Sequence, residues 1–247
     1  MLKNIYLGLK FSFSYFSIIP ISFKKSDDLS QKNVLALMLF FFPFVGLILG
    51  TGTVVLFLFL NHLEWYGALF SAVSYMLLYG FLHTEAIIDV ADALYASHSG
   101  KDAYAIIKEP TVGAMGVLYA IGFIILKLAG VVFLFTHNFL LEFIAILIVS
   151  RLSLLLLFKV HTFRSSFATE LKNALPLPHF VMTLLMYILI GSLFLSQFIF
   201  LLMAAFLLSL VISYSIKSKL GFVNGDVLGA TLEGIEILLF LMVALRY

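Results

Sequence analysis

Long uncharged stretches constrain this chain more than any other feature of its sequence. Residues 34–60 contain no charged side chain, and 63% of all 247 residues are hydrophobic while only 11% are charged. A soluble chain of this length cannot bury so much apolar surface. An apolar stretch of about 20 residues crosses a bilayer as a helix. The sequence therefore predicts an all-α fold, a polytopic helical bundle integral to a membrane.

About seven spans are predicted from the apolar stretches. They are placed at residues 34–60, 65–82, 116–135, 138–158 and 227–245, with two more in 180–216 on either side of a break near 191–197. Residues 1–33 are aromatic and contain lysines, which is typical of an N-terminal segment at the membrane interface. We expect a single transmembrane catalytic domain over residues 1–247. The lack of cysteine excludes disulfides, thiolate metal sites and a cysteine nucleophile.

Lysine and arginine predict the orientation of the protein. They lie before the first span and in the loops after the second, fourth and sixth spans, whereas the loops at 61–64, 136–138 and 191–197 have none. Positively charged loops face the cytoplasm. We therefore expect a cytoplasmic N-terminus in the cytoplasmic (inner) membrane, with the motifs at 83–116 and 221–236 on the cytoplasmic face. Arg246, near the C-terminus, is the exception to this rule.

Three acids follow the predicted second span within eight residues. Glu85, Asp89 and Asp92 are spaced i, i+4 and i+7, so a helix places all three on one face. Like charges at this spacing repel each other, and Mg²⁺ is commonly held by a few carboxylates together with substrate phosphates. The pattern favours a metal site at the membrane boundary. The alternative is a solvated helix end, although Ile87 and Val90 make the opposite face apolar.

A glycine pair precedes the predicted third span. Gly113 and Gly116 follow Lys108 and Pro110, and a helix begins directly after them. Glycine lets backbone N–H groups approach an anion closely, and a helix N-terminus favours negative charge. The stretch indicates a phosphate-binding turn, or else an ordinary turn.

A second acidic helix is predicted at 221–236. Gly225 leads into it, and Asp226 and Glu233 share one face at i and i+7. Two acidic helices at one boundary can hold a cation between them, so we expect Asp226 to lie close to Asp89 or Asp92. Glu236 extends the stripe, either as part of the site or as a packed, protonated acid.

Two basic residues lie inside predicted spans. Lys127 falls in the third and Arg151 in the fourth. Cations inside a membrane are functional candidates and are expected to have a carboxylate partner. A purely structural ion pair is the alternative.

These motifs together resemble the cobalamin synthase family, the adenosylcobinamide-GDP ribazoletransferases. Members carry H-x-D-x-x-x-D-x-x-D-G, then K-D-x-x-x-G-x-x-G, and near the C-terminus the pattern G-x-x-G-D-x-x-G-A-x-x-E-x-x-E. The matching positions here are His83, Glu85, Asp89, Asp92, Lys108, Glu109, Gly113, Gly116, Gly221, Gly225, Asp226, Gly229, Ala230, Glu233 and Glu236. Residues 16–20, Arg151 and Arg164 also fall where the family has an F-x-T-x-x-P element and arginines. Glu85 replaces the usual Asp, Ala93 the usual Gly, and Ser165-Ser166 the usual Asp-Gly.

The resemblance implies a Mg²⁺-dependent transferase of cobalamin biosynthesis. α-Ribazole or its 5′-phosphate attacks adenosylcobinamide-GDP, GMP leaves, and the nucleotide loop of the corrinoid closes. It implies Mg²⁺ ligands among Glu85, Asp89, Asp92, Asp226 and Glu233, with Asp89, Asp92 and Asp226 also catalytic. It implies His83 as the base for the ribazole hydroxyl or as a helix cap. The remaining residues that it assigns to substrate binding are Lys108, Gly113, Gly116, Arg151, Arg164 and Gly225, with the N–H groups of Gly113 and Gly116 facing the diphosphate.

Two other functions are compatible with the acids. A CDP-alcohol phosphotransferase uses membrane-edge aspartates with D-x-x-D-G-x-x-A-R spacing, but residues 89–93 lack its Gly and Ala-Arg. A cation-coupled transporter would use Glu85, Asp89 and Lys127 as a relay, with its acids at the bilayer midplane. For partners we expect the two substrates and membrane lipid, with no nucleic acid. A homo-oligomer or a complex with other corrinoid-pathway enzymes is also compatible with the sequence.

Overall fold

The computed structural model describes residues 2–98, 100, 102–109 and 111–246, with the side chain of residue 98 left aside. This part of the protein folds into α-helices joined by short loops and contains no β-strand. The helices are α1 (Leu2–Phe16), α2 (Lys32–Leu60), α3 (Glu64–Leu78), α4 (Leu82–His98), α5 (Ala103–Lys108), α6 (Ala114–Thr136), α7 (Leu140–Val160), α8 (Ser166–Ala174), α9 (Leu177–Phe194), α10 (Phe198–Leu220) and α11 (Gly225–Ala244). The all-α prediction is confirmed.

Within the described residues, six helical stretches are long and apolar enough to cross a membrane, close to the predicted seven. The difference arises in the first stretch, Lys32–Leu78, which contains both α2 and α3. A single 3₁₀ turn at Asn61–Leu63 separates these two helices. With its 15 residues, α3 is about 22 Å long, which is shorter than the roughly 30 Å hydrocarbon core. It packs against α2 as the second arm of a hairpin, and it is too short to cross the full core by itself.

Helix α7 forms the centre of the bundle. It is buried along most of its length and packs against α2, α10 and α11. Its contact with α2 is close because Gly46 lies directly on the backbone of Leu147, where any side chain would collide. Small residues allow this kind of helix approach in membranes. By contrast, α6, α9 and α10 expose many large apolar side chains outward, as lipid-facing helices do.

The loops gather at two ends of the bundle. Asn61, Glu64 and Asn138 line one shallow cavity, so two of the loops without Lys or Arg lie together. Elsewhere, the Tyr104 hydroxyl donates to the Arg164 carbonyl at 3.2 Å, and the Tyr104 ring packs edge-on against Phe222. These contacts join the segments that precede α6, α8 and α11. The acidic helix α4 and the start of α11 belong to this second group of elements.

Candidate active site

The acidic helix α4 packs against the first turns of α11. The contact is close at Gly229, where an added Cβ would lie 2.7 Å from the Cβ of Ala86. One turn further along α4, Asp89 is half-buried and interacts electrostatically with Asp226. Burial is the largest cause that raises the pKa of Asp89 to about 6, followed by the charges of Asp226, Glu85 and Asp92. The two acidic helices thus pack against each other as predicted, and the charge of Asp226 contributes to the raised pKa of Asp89. That the two acids share one ion stays a prediction.

Asn224 fixes the direction of the Asp226 carboxylate. Its Nδ2 donates to Asp226 Oδ2 at 2.7 Å, and its Oδ1 accepts from the Val227 N–H at 3.0 Å as the N-cap of α11. Asn224 is only 2% exposed. The sequence motifs did not single out Asn224, although an Asn just before a predicted helix is a recognisable N-cap.

Asp92 has a different role from that of Asp89. Its carboxylate accepts from the N–H of Gly113 at 2.6 Å and from the N–H of Gly116 at 2.7 Å. It thus satisfies free N–H groups at the start of α6 and interacts favourably with the helix dipole. Side chains at Gly113 or Gly116 would collide with this carboxylate. The prediction that these N–H groups face the diphosphate was wrong, because Asp92 already occupies them.

Two exposed cations converge on Tyr104. The Arg164 guanidinium lies 3.7 Å from the ring centroid and the Lys108 ammonium 5.8 Å from it. Lys108 also interacts electrostatically with Asp226. No carboxylate of the described residues forms an ion pair with either cation within 4.0 Å. Both charges are thus without a carboxylate partner in the described part of the protein, and their predicted role in phosphate binding stays a prediction.

A cavity of about 260 Å³ opens between α1, α2, α4, α7, α8 and α11. Gly225 and Asp226 line it, as does His83. Burial first, and then the positive charge of Arg151, lowers the pKa of His83 to about 3. An imidazole with so low a pKa is a weak proton acceptor at neutral pH, which argues against the predicted role of His83 as the base. A Cβ at Gly225 would meet nothing within 4 Å, so its backbone is open to a ligand.

The remaining predicted residues lie deeper, in a buried charge network. Lys127 Nζ pairs with Glu233 Oε2 at 2.7 Å and with Glu236 Oε2 at 2.8 Å, and Arg151 pairs with Glu236 Oε1 at 3.0 Å. These side chains are at most 2% exposed. Further hydrogen bonds to the two acids come from Tyr75, Tyr79 and Ser150.

This network corrects two assignments. Glu233 is not free to bind a metal, since Lys127 and Tyr79 occupy its oxygens. Arg151 is not at a substrate surface, because it is buried against Glu236 and the Leu147 carbonyl. The structural ion pair considered from sequence is therefore what forms, with the expected carboxylate partners. Glu236 is likewise a packed acid, and it is paired with two cations.

The donor chemistry of Asp89 and Asp226 fits Mg²⁺. Among the residues that the structure describes, no three His, Asp or Glu side chains are grouped to enclose an ion. The predicted set of five carboxylates is therefore not assembled, since Asp92 and Glu233 are engaged elsewhere and Glu85 is exposed. Mg²⁺ usually needs only one or two carboxylates and takes water and substrate phosphates as its other ligands. Two acids that repel each other beside Lys108 and Arg164 meet that requirement.

Comparison with known proteins identifies the family. The model of the cobalamin-5-phosphate synthase family matches residues 8–244. The chain belongs to the cobalamin-5-phosphate synthase family. Residues 8–244 include both acidic helices, the cavity and the buried charge network, so the membership covers every element of the site.

Named relatives extend along the whole sequence. An adenosylcobinamide-GDP ribazoletransferase of Clostridium perfringens (strain SM101 / Type A) is 28% identical over 246 residues, covering 95% of this chain and 96% of its own. The enzyme of the same name from Brevibacillus brevis is 29% identical, covering 93% and 94%. That from Chlorobium chlorochromatii is 28% identical, covering 96% of each. No solved structure matches this sequence.

Proposed function

We propose that this protein transfers the cobinamide-phosphate group of adenosylcobinamide-GDP to α-ribazole or its 5′-phosphate and releases GMP. The observation that carries the proposal is the family match over residues 8–244. The relatives named for this activity are similar to this protein over more than nine-tenths of its length. The CDP-alcohol phosphotransferase and the transporter are not retained, because the protein belongs to a different family.

The reaction exchanges one phosphate ester for another. A hydroxyl oxygen of ribazole forms a bond to the phosphorus that carries cobinamide, and the bond from that phosphorus to the oxygen bridging the diphosphate breaks. GMP leaves with that oxygen, and the hydroxyl proton passes to water or to the departing phosphate. Reactions of this kind depend mainly on positioning and on charge neutralisation.

In this proposal, Asp89 and Asp226 hold Mg²⁺ and Asn224 keeps Asp226 in position. When bound, Mg²⁺ neutralises charge on a diphosphate and stabilises a departing phosphate. Lys108 and Arg164 bind phosphate oxygens from the side of Tyr104. Arginine suits this role because its planar guanidinium can donate two parallel hydrogen bonds to one phosphate. Glu85 is exposed on the same face of α4 and would add negative charge that favours a cation at this face.

We place this chemistry at the cytoplasmic face of the inner membrane, as the distribution of Lys and Arg indicates. The proposed residues all come from one protomer. A homo-oligomer or a complex with other corrinoid-pathway enzymes stays a prediction and is not required for the chemistry.

The direct test is an assay of the purified protein in lipid nanodiscs. Adenosylcobinamide-GDP and α-ribazole are supplied with Mg²⁺, and GMP and the corrinoid product are quantified by chromatography and mass spectrometry. We expect equal amounts of both products, and none from Asp226→Asn prepared in the same way. GMP release without ribazole incorporation would indicate a hydrolase, and no GMP release at all would refute the proposal.

A further inference from the structure

Phenylalanine, tyrosine and leucine side chains form much of the wall of the cavity beside Asp226. Tyr15 and Phe16 come from α1, and Phe42 from α2. Phe158 of α7 and Phe167 of α8 are the other phenylalanines of the lining, which also contains five leucines. Rings of this kind offer stacking and edge-to-face contacts to a flat aromatic ligand. The cavity is thus lined for a planar, mostly apolar group.

His83 is the unpartnered polar side chain of this cavity. It is only 7% exposed, and it lies within the lining of the cavity. Its ring stacks on Tyr79 at an interplanar angle of 24°, which fixes its plane. Among the described residues, no group forms a hydrogen bond with either ring nitrogen. Its ring nitrogens are nevertheless not among the fully buried, unpartnered atoms of the described residues, so this imidazole is accessible from the cavity and available to a ligand atom.

We propose that the cavity binds the aromatic base of the acceptor nucleoside, α-ribazole, with His83 hydrogen-bonded to the free ring nitrogen of that base. The ribose then points towards Asp226 at the edge of the cavity, where a free hydroxyl of the ribose ring meets the diphosphate. This inference rests on the proposed transferase function and adds the residue that recognises the base.

The size and lining of the cavity favour this occupant over the other parts of the two substrates. A volume of about 260 Å³ lies just below the range of roughly 300–1,000 Å³ typical of small-molecule sites, so a corrinoid is excluded. Guanine carries several donors and acceptors on its edges, and an apolar wall would leave most of them unpaired. A benzimidazole has an apolar six-membered ring and one free nitrogen, which match a wall of aromatic and leucine side chains and one unpartnered imidazole.

The first test fills the cavity. Ala168 lines it and is 4% exposed, so Ala168→Leu places three carbons where the base would bind. The matched control is Ala91→Leu, because Ala91 is 6% exposed and lines a separate apolar cleft between α4, α6, α10 and α11. We expect Ala168→Leu to raise KM for α-ribazole about tenfold or more. We expect KM for adenosylcobinamide-GDP to stay within about twofold, and Ala91→Leu to change neither constant. Should Ala168→Leu not fold, Ala168→Val applies the same test.

The second test separates base recognition from proton transfer. His83→Phe keeps a ring against Tyr79 but removes both nitrogens. The ligands are α-ribazole and its indole analogue, in which a CH group replaces the free ring nitrogen. We expect the unchanged protein to prefer α-ribazole by about tenfold or more in KM and His83→Phe to show no preference. We expect kcat at saturating ribazole to stay within about threefold, whereas loss of a general base would lower kcat at every concentration.

The outcomes distinguish this inference from the proposed function. If the unchanged protein releases no GMP, the transferase function itself fails. If turnover is normal but Ala168→Leu raises only KM for adenosylcobinamide-GDP, guanine occupies the cavity and the inference is overturned. An unchanged KM for ribazole in Ala168→Leu, or a preference for ribazole that survives in His83→Phe, also overturns it.

Discussion

At the scale of single residues, the burial of Asp89 and the negative charges around it indicate a functional role rather than a contribution to stability. Burial, Asp226 and the acids of α4 raise its pKa from 3.8 to about 6. The metal-free folded protein therefore keeps a proton that the unfolded protein releases above about pH 4. Stability of the metal-free protein should fall as pH rises from about 4 through 6. The Asp89→Asn variant cannot lose stability through this ionisation. In the presence of a chelator, its Tm should therefore exceed that of the unchanged protein at pH 7, whereas at pH 4 it should not.

The same substitution should abolish turnover. Removing the charge of a metal ligand typically lowers the rate by several orders of magnitude, so we expect a loss of about 10³-fold or more in GMP release. Added Mg²⁺ should raise the Tm of the unchanged protein and leave that of Asp89→Asn unaffected. Glu142→Gln, a charge removal at the first turn of α7, serves as control and should retain full activity. Normal activity in Asp89→Asn would contradict the metal site.

Residue types and spacing predicted some of these environments and not others. The stripe of Glu85, Asp89 and Asp92 was evident because helical geometry places i, i+4 and i+7 on one face. The sequence did not reveal that Asp92 turns to the N–H groups of Gly113 and Gly116. That contact depends on where α6 begins relative to α4, which is a tertiary property. The spacing of acids shows that they share a face, but it does not show which of them is already satisfied by a backbone.

At the scale of helices, the meeting of α4 and α11 predicts coupling between Asp89 and Asp226. If both acids hold one ion, the first substitution already removes most of the metal-dependent activity, so the second substitution should add little further loss. We expect Asp89→Asn with Asp226→Asn to be nearly as active as the worse single variant, within about threefold. GMP release by the two single variants and the double variant completes the cycle. Losses that multiply would show that the two acids act in separate steps.

The buried charge network predicts a stability effect shared by four helices. Lys127 of α6 binds Glu233 and Glu236 of α11, while Tyr79, just after α3, and Arg151 of α7 complete the contacts. Lys127→Met leaves two buried carboxylates with one cation, and removing one partner of a buried ion pair typically costs about 3–5 kcal/mol. We expect a marked drop in unfolding temperature in detergent micelles.

A second substitution checks that prediction. In Lys127→Met with Glu233→Gln, one carboxylate and one cation are both removed, so the charges balance again with Arg151 opposite Glu236. We expect this double variant to recover at least half of the lost unfolding temperature. Equal instability of the single and double variants would show that Lys127 acts through packing alone. The sequence indicated that Lys127 and Arg151 need carboxylates, but which acids turn inward depends on the rotation of α11, which its acidic spacing alone does not set.

At the scale of the whole molecule, the fold divides its loops into two groups that the charge pattern had anticipated. Asn61 and Asn138 lie beside one cavity at the end of the bundle whose loops lack Lys and Arg. At the other end, the segments that carry Lys and Arg are joined by contacts among Tyr104, Arg164 and Phe222. Hydropathy and charge predicted this arrangement well, because the requirement to satisfy the backbone in a bilayer leaves few alternatives to a helical bundle. The short helix α3 was predicted as a full span since apolar residues continue past its end at Leu78.

The membrane orientation follows from that division and is open to a direct experiment. The protein has no cysteine, so a single introduced thiol reports on its own position. Asn61 and Ser218 are both exposed. Asn61 lies in the 3₁₀ turn after α2, and Ser218 lies in the last turn of α10, next to the segment that precedes α11. We expect Ser218→Cys to react with an impermeant maleimide only in permeabilised cells. Asn61→Cys should react on intact cells. GMP release by each variant confirms that it is folded. A nucleotide-linked substrate such as adenosylcobinamide-GDP is available only on the cytoplasmic side, and Asp226 at the start of α11 follows Ser218 by fewer than ten residues. Labelling of Ser218→Cys from outside would therefore reverse the topology and also remove the substrate from reach of Asp89 and Asp226.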